Sequence, residues 1–94
     1  MLEVRIMEGG TVHLLGRFDA SQAAGARQAL SGVDQSVTFD FTELDYISSA
    51  GLGVLIEVYK RLHGKGQTMR LVKMKPNIRA VFGFAGLDKV LTIE

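Results

Sequence analysis

The chain has 94 residues, enough for one domain spanning 1–94 with one modest core. Apolar residues make up 47% and charged residues 22%, a balance that excludes intrinsic disorder. The net charge is +1 and cysteine is absent, which excludes a strong overall field towards nucleic acid or membrane, a disulfide framework and thiolate chemistry.

Leu2, Val4 and Ile6 alternate with Glu3, Arg5 and Met7, the period of a strand with one buried face. Gly9-Gly10 then supplies a tight hairpin turn, and Thr11 to Gly16 forms the return strand. Asp19 opens a helix, and Gln22, three residues on, completes a capping box. Ala20, Ala23, Ala24, Ala26, Ala29 and Leu30 give that helix a thin apolar side suited to close packing on a sheet, and Ser31-Gly32 ends it. Val37, Phe39 and Phe41 alternate with Thr38 and Asp40 in the next strand, whose polar face argues against helices on both sides of the sheet.

A long helix is expected from about Ser49 to His63. Leu52, Leu55, Ile56, Val58, Tyr59 and Leu62 form its apolar arc. Glu57 and Arg61 stand in a favourable i,i+4 order, and Gly64 suits a left-handed position past the end. Met69 to Lys73 is a strand, Pro76 starts a third helix, Gly86 stops it, and Leu87 can pack back on its last turn. Val90 to Ile93 makes a final short strand. The order β-β-α-β-α-β-α-β defines an α/β domain. Its mixed sheet has four to five strands, an antiparallel hairpin opens a largely parallel array, and the helices pack mainly on one face.

Most enzyme classes lack the residues they need. His13 and His63 have no second ligand at metal spacing, and no Gly-rich phosphate loop or Ser-His-Asp set is present, so neither a metal nor another cofactor is expected. Asp40, Glu43 and Asp45 cluster near a strand end, where a solvated loop accounts for them. Residues 60–79 hold Lys60, Arg61, Lys65, Arg70, Lys73, Lys75 and Arg79 with no acid among them. No aromatic is interleaved for base stacking, so they read as separate solvated faces and no direct nucleic-acid contact is expected. No apolar run is long enough to span a bilayer, and Met1-Leu2-Glu3-Val4-Arg5 lacks the layout of a signal peptide, so a cytoplasmic location away from the membrane is expected.

One segment is unusual. Ser48-Ser49 precede the long helix, and Gly51 and Gly53 fall in its first turns, although each Gly costs about 1 kcal/mol against Ala there. Bare positions of this kind would let a partner's backbone or a phosphate come close, with Leu52 partly exposed between them as a contact residue. A plain helix cap is the other reading of Ser49.

The run Phe39–Leu55, with Ile47-Ser48-Ser49-Ala50-Gly51-Leu52 at its centre, resembles the signature of STAS domains of the anti-sigma-factor antagonist type. Gly16-Arg17-Phe18-Asp19 resembles the family's lead into its first helix, and Phe82-Gly83-Phe84-Ala85-Gly86-Leu87 its C-terminal motif. The three motifs fall in order with the expected elements between them.

That resemblance implies a STAS-like fold and a regulatory switch, not an enzyme. In such antagonists the serine opening this helix is phosphorylated by a partner that is both anti-sigma factor and serine kinase. The unphosphorylated form binds that partner, and a PP2C-type phosphatase resets the cycle. Ser49 matches the modified serine, and Asp19 matches an acid on the same surface. The implied partner face is therefore Asp19, Ser48, Ser49, Ala50, Gly51, Leu52 and Gly53. Ser48 stands where that group usually has Asp, which makes it the second candidate for modification. A STAS subunit of a lipid or anion transport system is the alternative role.

Overall fold

In the computed structural model, which describes all 94 residues, one five-stranded sheet carries the chain. Strand β1 (Leu2–Ile6) and strand β2 (Thr11–Phe18) form the opening hairpin. Its turn holds Gly9 and Gly10 at φ of 83° and 84°, which L side chains rarely adopt. A 3-10 turn (Ala20–Gln22) leads into helix α1 (Ala23–Ala29), so the expected single helix begins with a tighter turn. Strand β3 (Val37–Ile47), helix α2 (Ser49–His63), strand β4 (Met69–Val72), helix α3 (Pro76–Phe84), a second 3-10 turn (Leu87–Lys89) and strand β5 (Thr92–Ile93) complete the order.

The strands lie side by side in chain order. β1 and β2 are antiparallel; β2, β3, β4 and β5 are parallel. Register places Val12, Phe39, Leu71 and Ile93 in one row, and Thr11, Thr38, Arg70 and Thr92 in another. The first row faces the core; the second faces solvent. Ala26 of α1, Leu52, Val54, Leu55, Val58 and Leu62 of α2, and Ile78 and Phe82 of α3 join the apolar face of the sheet in a single core. The helices therefore cover one face, as the polar alternation of β3 requires. Phe41 and Phe82 meet edge to face, with centroids 5.8 Å apart and planes at 89°. Full burial of each such side chain is worth about 1.5–3 kcal/mol.

Four local expectations are corrected. β3 does not end near Phe41 but runs on to Ile47, so Asp40, Glu43 and Asp45 lie in a strand and not in a loop. Glu57 does not pair with Arg61. It takes a two-bonded ion pair from Arg27 of α1, with Nη2 2.8 Å from Oε2, while Arg61 donates to the carbonyls of Leu30 (2.6 Å) and Val33 (3.0 Å) just beyond α1. Those carbonyls lie just past the C-terminal end of α1, where acceptors have spare capacity (Leu30 accepts only the Val33 N–H, at 3.1 Å, from the backbone), so a tertiary contact outcompetes the local one. Gly64 keeps right-handed geometry (φ −64°), and the left-handed residue is Gly66, φ 72°. The final strand shortens to Thr92–Ile93, because Leu87–Lys89 forms a turn first. Gly86 is left-handed as expected, and Leu87 packs against the core.

Asp40 is the one buried charged residue, on the sheet face that no helix covers. Thr42 donates to Oδ1 through its hydroxyl (2.6 Å) and its N–H (2.9 Å). His13 Nδ1 and Lys73 Nζ each stand 3.8 Å from Oδ2. Burial works against the charge, but the Thr42 bonds and the two bases outweigh it, and the carboxyl lies below its ordinary range. Arg70 pairs with Glu94 at 2.6 Å and Lys75 pairs with Asp45, so the basic run disperses over several elements.

Candidate functional site: an exposed serine at the start of helix α2

Ser48 follows β3 with extended backbone (φ −93°, ψ 173°), and its hydroxyl accepts the Gly51 N–H at 3.3 Å. Its carbonyl accepts the Leu52 N–H at 3.0 Å. Ser48 is thus the N-cap, and the reading of Ser49 as the cap is corrected. Ser49 is the first helical residue, and it is exposed. The capping work is done one residue earlier, so its hydroxyl carries no part of the helix start.

The Ser48 N–H in turn donates to the Phe18 carbonyl at 2.9 Å. Asp19 and Ser49 each follow one member of this bonded pair, so the end of β2 and the start of α2 form one surface. Asp19 is itself a cap. Its Oδ1 accepts the Ser21 hydroxyl at 2.6 Å and the Ser21 N–H at 3.0 Å, and Gln22 Oε1 accepts the Asp19 N–H at 3.1 Å. The box expected from Asp19 and Gln22 is present, with its first turn wound as a 3-10 helix. The Ser21 hydroxyl bond, above all, holds the Asp19 carboxyl below its ordinary range.

The two glycines do different jobs. A Cβ on Gly51 would fall 2.8 Å from Ile47 Cγ1 and 3.0 Å from Phe18 Cγ and from the Phe18 carbonyl oxygen. Gly51 is therefore an internal contact where α2 crosses β2, not the bare outer position that its sequence context suggests. Leu52 is likewise corrected: it is 7% exposed and belongs to the core, because the turn that brings Gly51 inward carries its neighbour with it. Gly53 has open space around it, four residues after Ser49 and so on the same side of α2. Asp19, Ser48, Ala50 and Gly53 are half-buried at the surface and Ser49 is exposed, whereas Gly51 and Leu52 support the site from beneath.

Sequence reasoning missed two neighbours. Arg17 and Tyr46 are register partners on β2 and β3, and the guanidinium sits 4.4 Å from the ring centroid. They precede Phe18 and Ile47, so they border the same end of the sheet. Register shifts between His13 and Leu15 and between Gly16 and Arg17 obscure the pairing in the sequence.

Comparison with known proteins agrees with this architecture. The family model described as "Mlab, STAS domain" matches residues 4–93. The chain belongs to the STAS-domain family, whose anti-sigma-factor antagonist members are non-enzymatic regulators. Among its relatives, BtrV of Bordetella bronchiseptica, assigned as an anti-sigma factor antagonist, is 37% identical over 60 residues. That match spans 64% of this chain and 52% of BtrV. The anti-sigma-B factor antagonist of Listeria monocytogenes is 27% identical across 99% of this chain and 89% of its own length. Of solved structures, an anti-sigma factor antagonist from Mycobacterium paratuberculosis superposes with a TM-score of 0.83 at 26% identity, covering 99% of this chain and 83% of that one. SpoIIAA matches in fold in its unphosphorylated form (TM-score 0.73, 18% identity, 100% and 87% covered). Its phosphorylated form from Bacillus also matches (0.72, 21%, 100% and 91%).

No helix is long and apolar enough to cross a membrane.

Proposed function

We propose that this chain is an anti-sigma-factor antagonist. Unphosphorylated, it binds an anti-sigma factor that is also a serine kinase, and phosphorylation of Ser49 switches it off. A PP2C-type phosphatase restores the binding form. The observation that carries the reading is the division of labour between the two serines: Ser48 caps the helix, and Ser49 is left exposed beside Asp19 and the bare Gly53. The named roles of the relatives point the same way.

The physics of the switch is local. A phosphate on Ser49 adds about −1.5 to −2 charge and strong acceptor oxygens. The free N–H groups and the dipole of the 15-residue α2 accommodate that charge, so the fold tolerates it. A docked partner would have to desolvate it, and each 1.4 kcal/mol of that cost lowers affinity about tenfold. Asp19 beside it adds like charge. No large rearrangement is needed.

The test is incubation with the candidate kinase and ATP, followed by intact mass, for wild type, Ser48→Ala and Ser49→Ala. One phosphate is expected on wild type and on Ser48→Ala, and none on Ser49→Ala. Calorimetric titration should show that the phosphorylated protein binds the kinase at least about tenfold more weakly than the unmodified one. Equal affinities, or a phosphate on Ser49→Ala, overturn the switch. A subunit of a lipid or anion transport assembly is the second reading. Absence of phosphate uptake together with co-purification of membrane ATPase subunits would select it.

A further inference from the structure

Strand β1 is one edge of the sheet, and its outer side is open. The hairpin bonds from Met7 N–H to the Thr11 carbonyl (2.8 Å) and from Arg17 N–H to the Met1 carbonyl (2.9 Å) show which residues bond inward. In an antiparallel ladder bonded and non-bonded pairs alternate, so Glu3 and Arg5 also bond inward to β2. The N–H and C=O groups of Leu2, Val4 and Ile6 therefore point off the edge. Natural edges are usually blunted by charged side chains, proline, bulges or covering elements; the two charges of β1, Glu3 and Arg5, are paired with each other. β1 holds no proline, and its register with β2 runs unbroken over all five residues.

The side chains along this edge are arranged symmetrically about Val4. Met1 and Met7 lie three residues to either side, Leu2 and Ile6 two, Glu3 and Arg5 one. Met1, Ile6 and Met7 are three of the large apolar side chains left exposed on the surface, at 93%, 59% and 50%. If the strand meets a copy of itself running the other way, centred on Val4, every position finds a complementary one. Met1 opposes Met7, Leu2 opposes Ile6, and Val4 opposes Val4. Glu3 of each copy faces Arg5 of the other on the polar side of the sheet.

We propose that β1 pairs antiparallel with β1 of a second copy, about a two-fold axis at Val4, to form a ten-stranded sheet. The reading is independent of the Ser49 switch. Glu3 and Arg5 already pair with each other along the strand; the proposed occupant is a second copy because only in this antiparallel register does that acid-then-base pair meet its own reverse, so that each charge also faces an opposite one across the seam. The pairing also closes. The far edge, β5, has only two residues, with the Arg70–Glu94 ion pair beside it, so it offers little template for further growth. Leu2 lies beside Gly16, at the Ser49 end of the sheet. The two-fold therefore points the two Ser49 surfaces in opposite directions and leaves both free for partners.

Sedimentation equilibrium of the intact protein tests the proposal, with circular dichroism confirming that each variant stays folded. Wild type should dimerise reversibly. Glu3→Arg alone sets Arg against Arg, and Arg5→Glu alone sets Glu against Glu; each should weaken the dimer about tenfold. The double exchange Glu3→Arg/Arg5→Glu should restore it, and an equimolar mixture of the two single variants should form a heterodimer. Amide exchange at Leu2, Val4 and Ile6 should slow as protein concentration rises. A monomer at every concentration overturns the proposal. So does a dimer indifferent to the charge reversals, or one whose edge amides stay unprotected.

Discussion

The Phe18 carbonyl accepts the Ser48 N–H at 2.9 Å, and this one bond ties the last residue of β2 to the residue that caps α2. Phe18 is fully buried, so the bond is anchored from the core outward. Gly51 sits against the same residue, its virtual Cβ 3.0 Å from the Phe18 ring and carbonyl. The surface carrying Asp19 and Ser49 is therefore positioned by the packing of a helix start on an interior strand.

Gly51→Ala should destabilise the fold by about 1–3 kcal/mol, because the added methyl meets backbone and a packed ring that cannot yield. Gly53→Ala, two residues on, enters open space and removes a helix-interior glycine, so stability should rise by up to about 1 kcal/mol. Urea denaturation of both variants checks the contrast. If Gly53 lies under a docked partner, Gly53→Ala should also weaken binding while the fold gains stability.

The two serines should separate cleanly in a stability measurement. Ser48→Ala removes the acceptor for the Gly51 N–H and should cost about 1 kcal/mol. Ser49→Ala should stay within about 0.5 kcal/mol of wild type, since an exposed residue without a capping role has little to lose. Equal losses in thermal unfolding would mean that the cap is shared.

Arg61 and Arg27 both join α2 to α1, but they should behave differently. Arg61→Ala leaves the carbonyls of Leu30 and Val33 without their charged donor and should cost about 1.5–3 kcal/mol. Arg61→Lys should recover little, because an ammonium cannot reproduce the two-pronged geometry. Arg27→Ala removes an exposed ion pair to Glu57 and should change the urea midpoint hardly at all.

Asp40 should make the domain sensitive to acid. Its folded carboxyl lies below the ordinary range, so it contributes stability above about pH 4 and loses that contribution as pH falls through the depressed folded value. Unfolding midpoints measured from neutral pH downward should therefore fall on the acid side. Asp40→Asn keeps an acceptor for Thr42 but no charge for His13 and Lys73, so its profile should be flatter there. An acid limb parallel to that of wild type would remove Asp40 as a contributor.

Much of this domain was legible where a residue's conformation has one use. Gly9-Gly10 marks the hairpin, Pro76 the first turn of α3, and Asp19 with Gln22 the cap before α1. The alternation of Val37, Phe39 and Phe41 also foretold a sheet covered on one face. The misses share a cause, contacts between residues distant in sequence. Beyond Phe41 the period of two breaks, as Leu44 and Ile47 turn inward at a spacing of three, so the strand's true length is hidden. The role of Gly51 depends on Phe18, more than 30 positions away, and Arg61 finds its acceptors beyond the end of another helix. Which of two adjacent serines caps a helix depends on where β3 stops, and the sequence does not mark that point. The expected partner face included Gly51 and Leu52, which lie beneath the surface that Asp19, Ser48, Ser49, Ala50 and Gly53 present.

Strand order follows chain order throughout the sheet. From β2 onward, every new segment is laid along the one made just before it, and none must be inserted between neighbours already joined. A chain emerging from the ribosome could extend such a sheet in one direction as it lengthens, each helix folding over the strand pair completed last. The strand laid down last in this order has only two residues, so little of the core waits for it.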